Sequence, residues 1–87
     1  MKPGEEFIEQ GLMDLSNGLE TVPSLLVSIG AARLRRGGLS VPSDTFPDPE
    51  HRLYRFLHAE DQDSAHSRYN ALIRRLVSYE RAAECGI

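Results

Sequence analysis

Arginine is the residue type that most suggests chemistry in this sequence of 87 residues, because seven of its nine arginines gather in two groups. One group stands near a predicted helix end and the other decorates the last predicted helix. Guanidinium groups bind phosphates and carboxylates through several hydrogen bonds, so these residues are candidate contacts to an anion or a nucleic acid. The candidates are Arg33, Arg35, Arg36, Arg68, Arg74, Arg75 and Arg81.

The start of the last predicted helix carries further polar side chains of the kind that contact bases and phosphates. The acidic turn at 60–63 is followed by Ser64, Ser67, Arg68 and Asn70. This order indicates an alternative function, a nucleic-acid-binding regulator that uses its Arg-rich C-terminal helix in a helix-turn-helix-like arrangement. The acidic turn, a pI of about 5.5 and the lack of any lysine after Lys2 count against it.

A structural interpretation of the same arginines needs no ligand. Arg68 and Arg75 flank the apolar stripe of the last helix, where their aliphatic stems can cover the core while their charges pair with acids of helix one or three. Arg74 and Arg81 point away from that stripe. The acidic first helix and the basic end of the second also predict charge pairing between these two neighbours.

Metal binding and catalysis find little support in the sequence. His51 and His58 are seven residues apart on one helix, about 10.5 Å along its axis, which is too far to hold one ion. His66 belongs to the next helix, and Cys85 stands near the chain end with no base beside it. Gly37-Gly38 ends a helix instead of opening one around a phosphate. We predict no catalytic residue, no metal and no cofactor.

Composition places the chain among soluble globular proteins, with a net charge of −3, 40% apolar residues and 26% charged residues. The longest apolar run, at 25–29, is far shorter than the roughly 20 residues that cross a membrane. The N-terminus is acidic where a signal peptide would be apolar, and one cysteine allows no internal disulfide. We expect a single helical domain over 1–87, in the cytoplasm and without membrane contact.

The last helix has the clearest pattern of all the predicted elements. Six apolar residues follow a 4-3-4-3-4 spacing, which keeps one stripe of a helix against its neighbours. Together with Ile73 and Val77 the stripe spans an arc of roughly 160°, so it should contact more than one helix. The stripe consists of Ala65, Tyr69, Leu72, Leu76, Tyr79 and Ala83.

The first helix is expected from about Pro3 to Asn17, with Gly18 in a left-handed conformation at its end. Its apolar seam is predicted at Ile8, Leu12, Leu15 and Leu19.

The second helix is expected to begin near Thr21–Ser24 and to end at Gly37-Gly38. It is apolar on two sides, because Val27, Ala31 and Leu34 lie opposite its main apolar face. Two interpretations remain open. The connector that follows covers these residues, or they form an exposed interface. As the candidate partner-binding set we take Val27, Ala31, Leu34 and Phe46.

A Pro-rich connector at 39–48 should lie extended over the bundle, anchored by Leu39, Val41 and Phe46. The third helix is then expected to start with Asp48 as its cap and Pro49 in its first turn, and the fourth with Asp63 or Ser64 as its cap.

The sequence as a whole predicts an all-α fold, a small four-helix bundle with the Pro-rich connector between helices two and three. The expected function is a helical protein–protein interaction or regulatory module without catalytic activity. Its partner would be another protein or a second copy of the chain.

Overall fold

The computed structural model describes residues 4–85, and the regular secondary structure within this range is entirely helical. This confirms the predicted all-α fold. The four helices, in chain order, are α1 (Glu5–Ser16), α2 (Val22–Arg36), α3 (Pro49–Glu60) and α4 (Ala65–Glu84).

The end of α1 is set by a glycine turn. Gly18 has a φ of +72°, as predicted, and its amide donates to the carbonyl oxygen of Leu15 at 3.0 Å. The amide of Leu19 donates to the carbonyl oxygen of Asp14 at 2.8 Å, which closes the helix end. The prediction that Leu19 continues the apolar seam is wrong. The turn carries its side chain out of the helix, and it is 50% exposed.

The start of α2 is held by a reciprocal cap. The amide of Ser24 donates to the Thr21 hydroxyl at 3.2 Å, and the amide of Thr21 donates to the Ser24 hydroxyl at 2.8 Å. The Thr21 hydroxyl also donates to the buried carboxylate of Asp14 at 2.7 Å. This network therefore joins the end of α1 to the beginning of α2.

Helix α2 occupies the centre of the bundle and packs against each of the other three helices, while α3 also packs against α4. Two glycines permit close approach around α2. Gly11 of α1 lies against the backbone carbonyl of Pro23 and the side chain of Val27. Gly30 of α2 lies against Leu76 and Glu80 of α4. A helix that contacts neighbours on all sides is apolar all round, which explains the two apolar faces of α2.

The connector lies over the bundle, as the sequence predicts, and runs back along α2. The Arg35 guanidinium donates to the carbonyl oxygen of Pro42 at 2.6 Å, and the amide of Phe46 donates to the Ser28 hydroxyl at 3.3 Å. Leu39, Val41 and Phe46 pack against the core.

The predicted capping residues of α3 and α4 directly precede their helices, but they make no capping hydrogen bond. Asp48 precedes Pro49, but its backbone is left-handed, with a φ of +47°, and its side chain makes no capping hydrogen bond. Ser64 precedes α4 with a φ of −98° and a ψ of −4°, and it makes no such bond either. A capping side chain reaches the helix amides when the backbone of the capping residue is extended. The backbones of Asp48 and Ser64 are not extended, so their side chains do not cap the helices.

The apolar stripe of α4 faces the bundle as predicted. Ala65, Leu76 and Tyr79 are buried, and the other three members are partly buried against the same core. Tyr69 also meets Tyr54 of α3 edge to face, with ring centres 5.9 Å apart.

Candidate functional site

The residues predicted as a partner surface on α2 lie inside the protein. Val27 and Leu34 are at most 1% exposed, and Ala31 is 6% exposed. The prediction that these three form an accessible interface is wrong, because α1, the connector and the neighbouring helices cover them. Phe46 is half-buried, and the Arg52 guanidinium carbon lies 6.0 Å from its ring centre.

The first arginine group is largely engaged within the fold. Arg33 donates from Nε and Nη2 to the two carboxylate oxygens of Glu84, at 2.7 and 3.0 Å. Its Nη1 lies 3.4 Å from a carboxylate oxygen of Glu80. The hydrogen bond to Glu84 raises the pKa of Arg33, and the same bond lowers the pKa of Glu84. Arg35 donates to connector carbonyls, so within this group only Arg36 makes neither an ion pair nor a side-chain hydrogen bond with residues 4–85.

Glu80 is the buried member of this network, at 5% exposure. Burial raises the pKa of the Glu80 carboxyl, and the nearby charge of Arg33 only partly offsets this effect. Its second oxygen lies beside Gly30, at the contact between α2 and α4. The Arg33–Glu80–Glu84 cluster therefore connects two helices, with one guanidinium shared between two carboxylates.

The second arginine group is spread along α4. Arg68 pairs with Glu60 at 3.0 Å, and the guanidinium carbon of Arg75 lies 5.8 Å from the ring centre of Phe7. The pair with Glu60 agrees with the structural interpretation of Arg68. Arg75 packs beside Phe7, but its predicted pairing with an acid is not found among residues 4–85. Arg74 and Arg81 are exposed and make no ion pair with the described part of the chain.

The seven arginines do not form one surface. Arg68 and Arg81 are separated by about 20 Å along α4, at 1.5 Å per residue. The predicted pairing of α1 acids with α2 arginines is also wrong, because Arg33 turns towards the acids of α4.

The surface feature best suited to binding is an open groove beside α4, with a volume of about 410 Å³. Its apolar floor comes from α1, the first turn of α2 and the middle of α4, and its charged rim from α3 and α4. We call it the α1/α4 groove. The floor consists of Phe7, Val22, Pro23, Ala71 and Leu72, and the rim of Glu60, Arg68 and Arg75.

The α4 wall of this groove is one helix face. Arg68, Ala71, Leu72 and Arg75 follow the spacing i, i+3, i+4 and i+7, which places them on the same side of the helix. The two arginines are therefore about 10.5 Å apart along the axis, with two apolar residues between them.

A second cleft, of about 400 Å³, is lined by three charged side chains and one aromatic ring. It is bordered by Glu20, Arg52, Arg55 and Phe56. Glu20 and Arg52 form an ion pair at 3.1 Å across it, so part of its charge is already satisfied within the chain.

Residues 4–85 hold no group of three or more His, Cys, Asp or Glu side chains that could bind a metal ion. The three histidines and Cys85 are exposed. No helix in this part of the chain is long and apolar enough to cross a membrane.

Sequence reasoning identified the two arginines of the groove but not its floor. The sequence places Leu72 in the apolar stripe of α4, but it gives no indication that Phe7, Val22 and Pro23 lie beside it. The alternation of Arg68, Ala71-Leu72 and Arg75 along one face is the signal that could have revealed it.

Comparisons with known protein families, with curated proteins and with solved structures find no match for this chain.

Proposed function

We propose that this protein is a small helical interaction module, without catalytic activity, that binds another protein through the α1/α4 groove. The observation that carries the proposal is the groove itself, an apolar floor that is open to solvent and flanked by Arg68 and Arg75. An apolar depression rimmed by charged residues is typical of a protein-binding surface.

The contacts of the arginines favour this function over nucleic-acid binding. Arg33 and Arg35 already bind acids or carbonyls within the chain. Phosphate binding requires a surface of uncompensated cations, whereas the net charge of the protein is −3. A cytoplasmic location belongs to the same proposal, and the exposed, unpaired thiol of Cys85 fits a reducing compartment.

The proposal can be tested by selecting displayed random peptides on the purified protein. Ala71 is exposed within the groove, so Ala71→Arg should block the floor without disturbing the core. Asn70→Arg is the matched control, because it adds the same side chain at the neighbouring exposed position outside the groove.

We expect selected peptides to bind the natural protein and Asn70→Arg equally well and to lose affinity for Ala71→Arg. Selection that yields only peptides indifferent to Ala71→Arg would contradict the proposal. Salt-dependent binding to random duplex DNA, lost in Arg74→Glu and Arg81→Glu, would support the nucleic-acid alternative instead.

A further inference from the structure

We infer that the groove binds an amphipathic helix from a different protein. This helix carries two acidic residues seven positions apart, with apolar residues midway between them. The inference rests on the proposed function and names the class of partner for the same groove. It is carried by the order of side chains along α4 and by the charges at the two ends of the floor.

The spacing of the rim fits a helical partner. Arg68 and Arg75 are about 10.5 Å apart along α4, and two residues seven apart on any other helix have the same separation. A helix lying along the groove can therefore place one carboxylate at each arginine. Its residues at i+3 and i+4 then face the floor, where Leu72 and Phe7 offer apolar surface.

The existing contacts of the two arginines leave room for such carboxylates. The Arg68–Glu60 pair is about half exposed on both sides, and surface pairs of this kind contribute only about 0–1 kcal/mol. A partner carboxylate can therefore share or replace Glu60 at little cost. Arg75 lies beside the Phe7 ring and makes no ion pair with residues 4–85.

A second copy of this chain does not offer the required pattern. Its 87 residues contain no two acidic side chains seven positions apart. The acids of α1 that share a face, such as Glu5 and Glu9, are four apart, about 6 Å along the axis. The charge pattern of the groove therefore indicates a partner other than the chain itself.

The test uses short, covalently stapled helical peptides with a fluorescent label and a Leu-Leu pair at i+3 and i+4. Four versions carry Glu at i and i+7, Gln at both positions, Lys at both positions, or Glu at i and i+5. The last version has the same composition as the first but places its acids on different faces of the helix. Binding is measured by fluorescence anisotropy near physiological salt.

We expect the Glu i, i+7 peptide to bind more tightly than the Lys peptide by about tenfold or more, since two surface charge pairs change from attraction to repulsion. Arg75→Glu should reduce that preference strongly, and Arg68→Glu together with Arg75→Glu should reverse it. Arg74→Glu changes the net charge by the same amount as Arg75→Glu, but it lies outside the groove. This variant should retain the preference for the Glu peptide.

The outcomes separate this inference from the proposed function. Equal binding of the Glu, Gln and Lys peptides, abolished by Ala71→Arg, would overturn the acidic partner while the groove remains a binding surface. Equal binding of the two Glu peptides would overturn the spacing. If none of the peptides binds and display selection also yields no peptide sensitive to Ala71→Arg, both proposals fail.

Discussion

Two glycines determine how closely the helices of this bundle approach one another, and they differ in what surrounds them. A Cβ on Gly11 would meet the backbone carbonyl of Pro23, which cannot move without shifting the start of α2. A Cβ on Gly30 would lie 2.7 Å from a Glu80 oxygen and 2.9 Å from a Leu76 methyl group, both at the ends of side chains. Substitution by alanine therefore tests a contact with rigid backbone at Gly11 and a contact with movable side-chain ends at Gly30.

We expect Gly11→Ala to lower the free energy of unfolding by about 1–3 kcal/mol, because overpacking against backbone exceeds the gain in helix propensity. Gly30→Ala should cost less, since rotation of two side-chain ends relieves the contact. Urea denaturation followed by circular dichroism measures both. An equal loss in the two variants would contradict this account of the α1–α2 contact.

Glu80 should make stability depend on pH in a direction opposite to that of most carboxylates. Burial raises its pKa in the folded state, so the folded protein holds a proton over a pH range in which the unfolded chain has released it. Folding therefore becomes less favourable as the pH rises through this range. We expect the stability of Glu80→Gln relative to the natural protein to increase as the pH rises from about 4 to about 7.

Glu84 provides a control of opposite sign in the same cluster. Its hydrogen bond from Arg33 lowers its pKa, so its contribution to stability is present at neutral pH and is lost as the pH falls through the folded-state pKa. Glu84→Gln should therefore lose stability relative to the natural protein as the pH rises. Chemical denaturation at several pH values distinguishes the two, and parallel pH profiles for both variants would contradict the assignment.

At the scale of the elements, the junction between α1 and α2 depends on one hydroxyl group. Thr21 accepts from the Ser24 amide and donates to Asp14, whose carboxylate is buried and also accepts from Gln10. Thr21→Val keeps the branched shape but removes both contacts. We expect it to lower the free energy of unfolding by about 1–2 kcal/mol, the usual range for loss of a helix cap.

Thr21→Ser retains the hydroxyl and should leave most of that stability in place. Thermal unfolding of the two variants measures the difference. A Thr21→Ser variant as unstable as Thr21→Val would show that the methyl group, and not the cap, matters at this position.

Local sequence signals explain how far the elements could be predicted. Thr21, Pro23 and Gly18 act within one helix turn of themselves, and the structure confirms the helix ends that they predict. Asp48 does not cap α3 through its side chain because its backbone is left-handed, a conformation that is uncommon for residues other than glycine and that the sequence pattern does not indicate. The prediction for Leu19 was wrong because the apolar spacing continues past Gly18, whereas the turn at Gly18 redirects the chain away from the helix.

The candidate groove was harder to predict than the helices that form it. Its α4 wall can be read from the sequence, because Arg68 and Arg75 share one helix face with Ala71 and Leu72. The floor cannot, because Phe7 and Pro23 reach it only through the way in which α1 and α2 meet α4. That arrangement depends on contacts between residues distant in sequence, such as Arg75 beside Phe7.

At the scale of the whole molecule, the position of α2 decides which surfaces are available to a partner. Because α2 contacts the other three helices, its second apolar side is used for folding and the connector closes over part of it. The surface left for recognition lies at the periphery, where α1, the start of α2 and α4 leave the groove between them. The second apolar side of α2 is therefore separate from the proposed binding surface, whose floor residues Phe7, Val22 and Leu72 also pack, partly buried, against the core.

Leu34 tests this separation, because the same substitution has different effects on a core and on an interface. Leu34 is 1% exposed within the single chain, so Leu34→Glu buries a charge without a partner and should abolish cooperative folding. Ala32→Glu introduces the same side chain at an exposed position of α2 and should leave the protein folded. Circular dichroism and light scattering on purified samples measure secondary structure and mass together. If the natural protein were a dimer and Leu34→Glu converted it to a folded monomer, Leu34 would lie at an interface and the central position of α2 would not account for its apolar faces.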